Sequence, residues 1–251
     1  MQVAVVVFTM TNLAAEEAHN PPPPHTHTPM NPLQALTQLA HLRLDDASPS
    51  GAGDGVVSTN ILAGKCHLSH LSLGYYIFEA GALADKTQMQ HLDLSCATCP
   101  GGVGEKVQLL SILQQLQQLT HLRLHESLTH TVALANGAFS PPAVAFAALT
   151  ASSKLQHLDI SSCKLPAGVW EHVFPAGRQL PHLQSLVVSD ITQAASNDDE
   201  DTPAPAPESS HLASCRPGLK FLNLQPFTLV ELGAAADSES AMIAELRIDG
   251  D

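Results

Sequence analysis

The 251-residue chain is poor in positive charge: 11 Lys and Arg residues stand against 24 Asp and Glu, which gives a formal net charge of −13. Proteins that bind nucleic acids or anionic membrane surfaces use clustered Lys and Arg. The few Arg residues here are scattered along the chain. The composition argues against both classes, and we expect neither a nucleic acid nor a membrane among the partners.

Segments that direct a protein into or across a membrane are also missing. No apolar run reaches the roughly 20 residues that a spanning helix needs. A signal peptide has basic residues before its apolar segment, whereas the apolar start MQVAVVVFTM has none before it. The five cysteines are odd in number and lack the paired caps of secreted repeat proteins, which indicates free thiols. We expect an intracellular, cytoplasmic protein rather than a secreted one.

Sequence motifs of the common catalytic sites are absent as well. The chain has no G-x-S-x-G, no phosphate-binding loop ending in Lys and Ser or Thr, and no H-E-x-x-H. Gly101, Gly102 and Gly104 form a glycine-rich turn without the Lys that phosphate binding requires at its set place. Asp93 and Asp159 could pair, but an open surface shelters carboxylates poorly from water. We therefore expect neither enzyme activity nor a cofactor.

What the chain does contain is one six-residue phrase, repeated eight times: an apolar residue, two variable positions, Leu, one variable position and an aliphatic residue. Successive copies start 29, 21, 30, 36, 28, 36 and 24 residues apart, a spacing typical of solenoid proteins. Because side chains alternate across a strand, parallel stacking of the copies would give one continuous apolar core. The copies are LAHLRL (39–44), LSHLSL (68–73), MQHLDL (89–94), LTHLRL (119–124), LQHLDI (155–160), LQSLVV (183–188), LKFLNL (219–224) and IAELRI (243–248).

This pattern resembles the leucine-rich repeat family, whose unit is L-x-x-L-x-L-x-x-N/C-x-L. The resemblance covers roughly residues 31–251 and implies an α/β solenoid, a curved horseshoe with parallel strands on the concave face and helices and loops on the convex face. The mean spacing of about 29 residues resembles ribonuclease-inhibitor-like and F-box-associated arrays. The ninth position of the unit matches only at Cys163, so irregular turns are expected after the strands. The other ninth positions hold Ala47, Tyr76, Ala97, Ser127, Ile191, Phe227 and Asp251.

The chain divides into two regions by composition. Residues 1–30 are expected to be a disordered Pro/His-rich leader, because four consecutive prolines from Pro21 suit neither helix nor sheet core. Residues 31–251 are expected to form a leucine-rich repeat domain of about eight repeats. Two insertions in it, the Gly/Ser-rich 46–60 and the acidic, Pro-rich 194–210, are predicted to be flexible. An open solenoid end needs a polar cap. None is visible at the C-terminal end, which favours further repeats or self-association there.

Apolar spacing predicts helices between some of the strands. Residues 105–118 carry leucines at helical spacing, and a second helix should start at Ser140 and run to Leu149. A third is expected within 165–175, around the single Trp170. All three should lie on the convex side and bury their apolar faces against the strands.

Residues between the buried leucines should form columns on the concave face, since neighbouring strands lie about 4.8 Å apart. Position three of the repeat is His in five copies, which predicts a ladder of five imidazoles. Position three holds His41, His70, His91, His121, His157, Ser185, Phe221 and Glu245. Position five holds Arg43, Ser72, Asp93, Arg123, Asp159, Val187, Asn223 and Arg247.

Three interpretations of the histidines stay open. They are tolerated half-exposed polar residues, or a stripe that binds a partner, or ligands of a metal. The metal interpretation is best represented by Cys96 and Cys99 beside His91 and His70. Repulsion between stacked imidazolium ions should lower their pKa values, so the face should be neutral near pH 7 and charge together below about pH 6.

The most direct functional interpretation is recognition of a protein partner, of unknown identity, through the concave face. LQHLDISSC at 155–163 and LTHLRL at 119–124 are similar to the F-box-associated branch, which implies substrate recognition for a ubiquitin ligase. Further alternatives are a metal-binding module using the His ladder and a structural spacer or fragment without a specific partner. The expected contact residues are His70, His91, Asp93, His121, Arg123, His157 and Asp159.

Overall fold

The computed structural model describes residues 4–10, 36, 38–46, 56–57, 59–99, 101–128, 141–193, 202–203, 205, 207–215 and 218–224. Within them the strands are β1 (Ala4–Met10), β2 (Leu39–Asp46), β3 (Val56–Val57), β4 (His70–Gly74), β5 (Ile77–Phe78), β6 (His91–Asp93), β7 (His121–Arg123), β8 (His157–Asp159), β9 (Lys164–Leu165), β10 (Ser185–Val187), β11 (Thr192–Gln193), β12 (Thr202–Pro203) and β13 (Phe221–Asn223). The α-helices are α1 (Thr59–Leu62), α2 (Gly102–Leu113), α3 (Trp170–Val173) and α4 (Ser209–Leu212), and 3₁₀ helices lie at Ala80–Leu83, Ala143–Thr150 and Ala213–Cys215.

One eight-stranded sheet organises the molecule, with its strands in chain order: β1-β2-β4-β6-β7-β8-β10-β13. Every neighbouring pair in it is parallel. Equivalent repeat positions face each other, as when His91 pairs with His121 and Leu92 pairs with Leu122. Seven of the eight phrases form these strands, and the eighth, 243–248, lies outside the described residues. The parallel solenoid that the repeat predicts is confirmed.

The buried face of the sheet is built from positions one, four and six of the repeat. Leu71, Leu92 and Leu186 are fully buried, and Leu122 and Leu158 are 1% exposed. Full burial of one Leu side chain contributes about 1.5–3 kcal/mol, so the stacked leucines supply the main driving force for folding. They belong to one continuous core cluster that runs along the array.

The convex layer is less helical than the sequence predicts. α2 replaces the expected helix at 105–118: it starts three residues earlier and ends five residues earlier. Residues 143–150 form a 3₁₀ helix, as is frequent in short connecting segments, and only four residues within 165–175 are α-helical. α2 packs against the 3₁₀ helices Ala80–Leu83 and Ala143–Thr150, and the latter packs against α3. None of the helices in the described ranges is long and apolar enough to span a bilayer.

The structure corrects the leader prediction at its start. Ala4–Met10 is a strand that pairs in parallel with β2, from Ala4 opposite Leu39 to Met10 opposite Asp46. This segment is rich in Val, which favours strands, and it covers the otherwise unpaired edge of the first repeat. Residues 11–30 lie outside the described residues, so the leader prediction stays untested there.

Both predicted flexible insertions contain short ordered elements. Within 46–60, β3 pairs with β5, and α1 begins at Thr59. Within 194–210, β12 pairs antiparallel with β11, and α4 begins at Ser209. β3 and β12 are each paired with a strand that belongs to a repeat, and the flexibility of the two insertions stays a prediction. The remaining residues of both insertions lie outside the described part of the chain.

The turns after the strands are regular, which corrects the expectation of irregular turns. The eighth position of five successive repeats has a left-handed backbone: Tyr75, Cys96, Glu126, Ser162 and Asp190 have φ between 52° and 63°. The amide of each of the first four donates to the seventh-position carbonyl of the next repeat, at 2.7–3.3 Å. Backbone hydrogen bonds therefore repeat the turn without the family's Asn side chains. The ninth-position residues Tyr76, Ala97, Ser127, Cys163 and Ile191 are buried beneath it.

Candidate functional site

The five predicted histidines form a continuous stack, here called the imidazole ladder: His41, His70, His91, His121 and His157. Ring centroids of successive members lie 3.9, 5.8, 5.1 and 4.2 Å apart. Three of these four ring contacts are stacked. In the remaining one, between His91 and His121, the ring planes are tilted by 31°. All five rings are half-buried. The stacking follows from the in-register pairing of β2, β4, β6, β7 and β8.

Hydroxyl groups at position two fix the orientation of two of these rings. Thr120 Oγ1 donates to the Gln90 carbonyl at 2.9 Å and lies 2.9 Å from His121 Nδ1. Ser69 Oγ likewise donates to the Ala40 carbonyl and lies 2.9 Å from Nδ1 of His70. A hydroxyl has one hydrogen, so each oxygen accepts from Nδ1–H of its neutral imidazole. That tautomer leaves Nε2 as a hydrogen-bond acceptor.

The ladder favours neutral rings. Burial, and then the neighbouring imidazoles of His157, His91 and His70, together lower the pKa of His121 to about 4. Burial is also the largest cause of the lowered pKa of His70, of His91 and of His157. The direction agrees with the sequence-based hypothesis, but desolvation outweighs the repulsion on which that hypothesis was based.

Beside the ladder, position five forms an ion-paired row. Arg123 Nε donates to Asp159 Oδ2 at 3.1 Å, and its Nη1 lies 4.0 Å from Asp93 Oδ2. The other oxygen of each carboxylate accepts hydrogen bonds from the serine two residues later in the chain. Asp93 Oδ1 accepts from Ser95, and Asp159 Oδ1 accepts from Ser161. The guanidinium thus separates the two aspartates, which form no direct carboxylate pair.

All seven predicted contact residues therefore lie on one face, on the adjacent strands β4, β6, β7 and β8. Position three supplies the half-buried imidazoles, and position five supplies the ion-paired row. The structure brings these side chains together in the order that the sequence predicts. Whether they contact a partner stays a prediction. The seven are His70, His91, Asp93, His121, Arg123, His157 and Asp159.

The predicted Cys96–Cys99–His91–His70 metal set is not assembled. Cys99 is buried in the core, and burial raises the pKa of its thiol to about 12. Cys96 instead turns toward the next repeat, where its Sγ lies 3.3 Å from Glu126 Oε2. In the part of the chain that the structure describes, the one group of three potential metal ligands is Cys96, His125 and Glu126.

Sequence reasoning missed this group, although a signal for it was present. Cys96 and Glu126 hold position eight of consecutive repeats, and His125 holds position seven. In a parallel stack in register, these positions are neighbours even though 30 residues separate Cys96 from Glu126. Reading columns seven and eight together would have placed the three side chains side by side.

Three observations together define the fold: the repeated phrase, the parallel sheet that it forms, and the left-handed turn at position eight. The fold is a leucine-rich repeat solenoid. No family model and no curated protein matches the chain. Among solved structures it is similar to a leucine-rich repeat protein of Leptospira interrogans, at 19% identity and TM-score 0.43, over 76% of this chain and 44% of that one. It is also similar to an internalin of Listeria monocytogenes, at 19% identity and TM-score 0.40, over 78% of this chain and 58% of that one.

The solenoid thus spans about half the length of these two proteins. At such identities and TM-scores, the fold assignment rests on the chain's own repeats and its sheet. The ribonuclease-inhibitor-like or F-box-associated class suggested by the repeat spacing stays a prediction.

Proposed function

We propose that this solenoid is a protein-interaction scaffold that binds a protein partner on its concave face. The observation that supports it is the imidazole ladder beside the Asp93–Arg123–Asp159 row, two ordered columns on one open face. The proposal makes the chain a binding protein rather than an enzyme. Intracellular, cytoplasmic location remains part of the proposal.

The ladder suits a binding surface because its rings are already ordered. A partner does not have to immobilise them, and immobilising a flexible side chain costs about 0.5–1.5 kcal/mol. Neutral rings also lose little on being covered, whereas burying an unpaired charge is costly. The ordered tautomers of His70 and His121 present Nε2 acceptors, which fit hydrogen-bond donors on the partner.

The ion-paired row adds selectivity to this surface. Two carboxylates and one guanidinium leave the row with one net negative charge, and the whole chain has a net charge of −13. Such a field favours approach of a partner with a basic surface and repels acidic ones. We therefore expect a partner that brings hydrogen-bond donors to the ladder and basic side chains to the row.

The test is affinity capture from native cell extract with the wild type, His121→Glu, Arg123→Glu and a matched control. Gln108→Glu is that control, because Gln108 is exposed on α2 in the convex layer and the change adds the same charge as His121→Glu. Circular dichroism verifies that all four proteins are folded. Proteins retained by the wild type and the control, but lost from both concave-face variants, support the proposal, and titration of the purified partner measures the loss.

If all four proteins captured the same set of partners, any binding site would lie away from the middle of the concave face, which would contradict the proposal. Ubiquitin-ligase subunits among the lost proteins would favour the substrate-adaptor alternative. A folded wild type that retains no protein specifically would favour the structural-spacer alternative.

A further inference from the structure

A second group of side chains lies at the carboxyl ends of β6 and β7, just beyond the ladder. It consists of Cys96, His125 and Glu126 and is here called the rim cluster. One ligand atom from each of the three residues lies within 4.8 Å of the others. Cys96 Sγ is 3.3 Å from Glu126 Oε2, and Nε2 of His125 is 3.8 Å from Glu126 Oε1. We propose that the rim cluster binds a zinc ion through one sulfur, one nitrogen and one oxygen.

The spacing fits that ion. Zinc bonds of about 2.0–2.3 Å in a tetrahedron place the ligand atoms about 3.3–3.7 Å apart. Sγ lies 3.3 Å from Oε2 of Glu126 and Nε2 lies 3.8 Å from Oε1, both close to that range, and a rotation of the carboxylate would bring one oxygen to both. The side chain of Glu126 is 48% exposed, so its contact with an ion would lie outside the core.

The backbone holds the two repeats together at this point. Cys96 and Glu126 both have φ of 58°, the left-handed conformation of position eight. The amide of Cys96 donates to the carbonyl of His125 at 2.7 Å. The ligand-bearing turns are therefore joined by a main-chain hydrogen bond, which fixes the distance between the two elements that supply the ligands.

An independent observation comes from the other side of the His125 ring. Nδ1 lies 2.9 Å from Ser161 Oγ, and that hydroxyl donates its hydrogen to Asp159 Oδ1. Ser161 Oγ must therefore accept from Nδ1–H, and in the neutral imidazole this places the lone pair of Nε2 on the side of Glu126. Metal-bound histidines typically donate their second ring N–H to a carboxylate, a carbonyl or water, which sets the tautomer and the ring orientation, and here the hydroxyl of Ser161 connects the ring to a carboxylate. The chain from Asp159 through Ser161 to His125 provides that support.

The donor set selects the class of metal. Calcium and magnesium take oxygen ligands, whereas thiolate, imidazole and carboxylate together suit zinc. Thiolate and carboxylate supply two negative charges to a dication. With three protein ligands, the fourth position is left to water, as in open zinc sites. The site differs from the Cys96–Cys99 alternative because it takes its remaining ligands from the following repeat.

The test is titration of the reduced, chelator-treated protein with cobalt(II), which replaces zinc and reports its ligands by absorption. One equivalent should produce the visible bands of tetrahedral cobalt and a thiolate charge-transfer band in the near ultraviolet, both removed by zinc. Cys96→Ser should abolish the charge-transfer band, and His125→Gln and Glu126→Gln should each weaken binding at least tenfold. Ser161→Ala leaves the three ligands in place but removes the acceptor for Nδ1–H of His125, together with one hydrogen bond to Asp159, and should weaken binding by about 10–100-fold. Cys66→Ser is the matched control, because Cys66 is an exposed thiol elsewhere, and it should leave the spectrum unchanged.

Three outcomes would overturn the proposal. They are a wild type without a thiolate band, a band that survives in folded Cys96→Ser, and loss of binding in His70→Gln, which would assign the metal to the ladder. Circular dichroism verifies the fold of each variant. The exposed Glu126→Gln serves if Cys96→Ser does not fold. The titration uses the isolated protein, so its result does not depend on whether a protein partner is found.

Discussion

The rings of His121 and His157 stack with their centroids 4.2 Å apart and their planes 20° from parallel. Two charged imidazoles at that distance would repel each other, and each would also lose its hydration in the half-buried ladder. The contact is therefore compatible with neutral rings and opposed by protonation. We therefore expect this pair of rings to be uncharged at neutral pH, and protonation in acid to destabilise their contact.

The first prediction concerns the charge state of His121. Because burial, and then its neighbours, lower its pKa to about 4, its ring should titrate well below an ordinary histidine. His157→Gln removes the neighbour that lowers the pKa most, so it should raise the pKa of His121. Ring proton and nitrogen shifts followed by NMR against pH measure both effects. His182→Gln, at an exposed histidine outside the ladder, is the control. A wild-type midpoint near 6.5 would contradict the stacked, desolvated ladder.

The second prediction follows from the first by linkage. Between pH 6.5 and about 4 the unfolded chain binds a proton at His121 that the folded chain does not, so acid favours unfolding. The free energy of unfolding should fall as pH drops through this window, and the fall should be smaller in His121→Gln. Urea unfolding at several pH values measures the difference. Both proteins contain the same carboxylates, so equal slopes would show that His121 is not linked to folding.

The third prediction tests the hydroxyl that orients His121. Thr120→Val keeps the shape of the side chain but removes the oxygen that bonds to the Gln90 carbonyl and to Nδ1. Loss of such a hydrogen bond costs about 0.5–1.5 kcal/mol, and the ring should no longer prefer the Nδ1–H tautomer. Imidazole nitrogen shifts report the tautomer, and urea unfolding reports the stability. Thr120→Ser keeps the hydroxyl and should behave like the wild type. If valine and serine give the same tautomer, the hydroxyl does not set it.

The fourth prediction concerns the core of the central repeat. Leu122 is 1% exposed between the leucines of the neighbouring strands, so Leu122→Ala should lower the free energy of unfolding by about 2–5 kcal/mol. Val144 is 62% exposed on the convex side, and Val144→Ala should change it by no more than about 0.5 kcal/mol. Denaturant unfolding of the two variants makes the comparison. Similar losses in both would be inconsistent with the assigned burial pattern.

Much of the architecture could be predicted because one rule governs it. Side chains alternate across each strand, and the strands stack in parallel. Together these two facts determine which side chains are buried and which repeat positions are neighbours. The pairing of His91 with His121 and of Asp93 with Arg123 follows directly from aligned phrases. The same rule makes Cys96 and Glu126 neighbours at the rim, but position eight was not aligned across the repeats, so Cys96 was grouped with Cys99 instead.

Other features depend on forces that the phrase does not encode. β1 has no Leu phrase of its own, and it joins the sheet because β2 offers an unpaired edge. The convex segments are less α-helical than their apolar patterns suggest: residues 143–150 form a 3₁₀ helix, and α3 has only four residues. The left-handed turn carries Tyr, Cys, Glu, Ser and Asp in its five copies, so no residue type marks it.

The last prediction addresses that turn. Ser162 has φ of 54°, a region that is costly for β-branched side chains and costs Gly nothing. Ser162→Val should lower the free energy of unfolding by about 1–2 kcal/mol. Ser162→Gly should leave it unchanged or raise it, because the amide still donates to the Ser189 carbonyl, at 2.8 Å. Urea unfolding of both variants provides the measurement. A glycine variant that loses as much stability as the valine variant would mean that the Ser162 side chain, rather than its left-handed backbone, is what the turn requires.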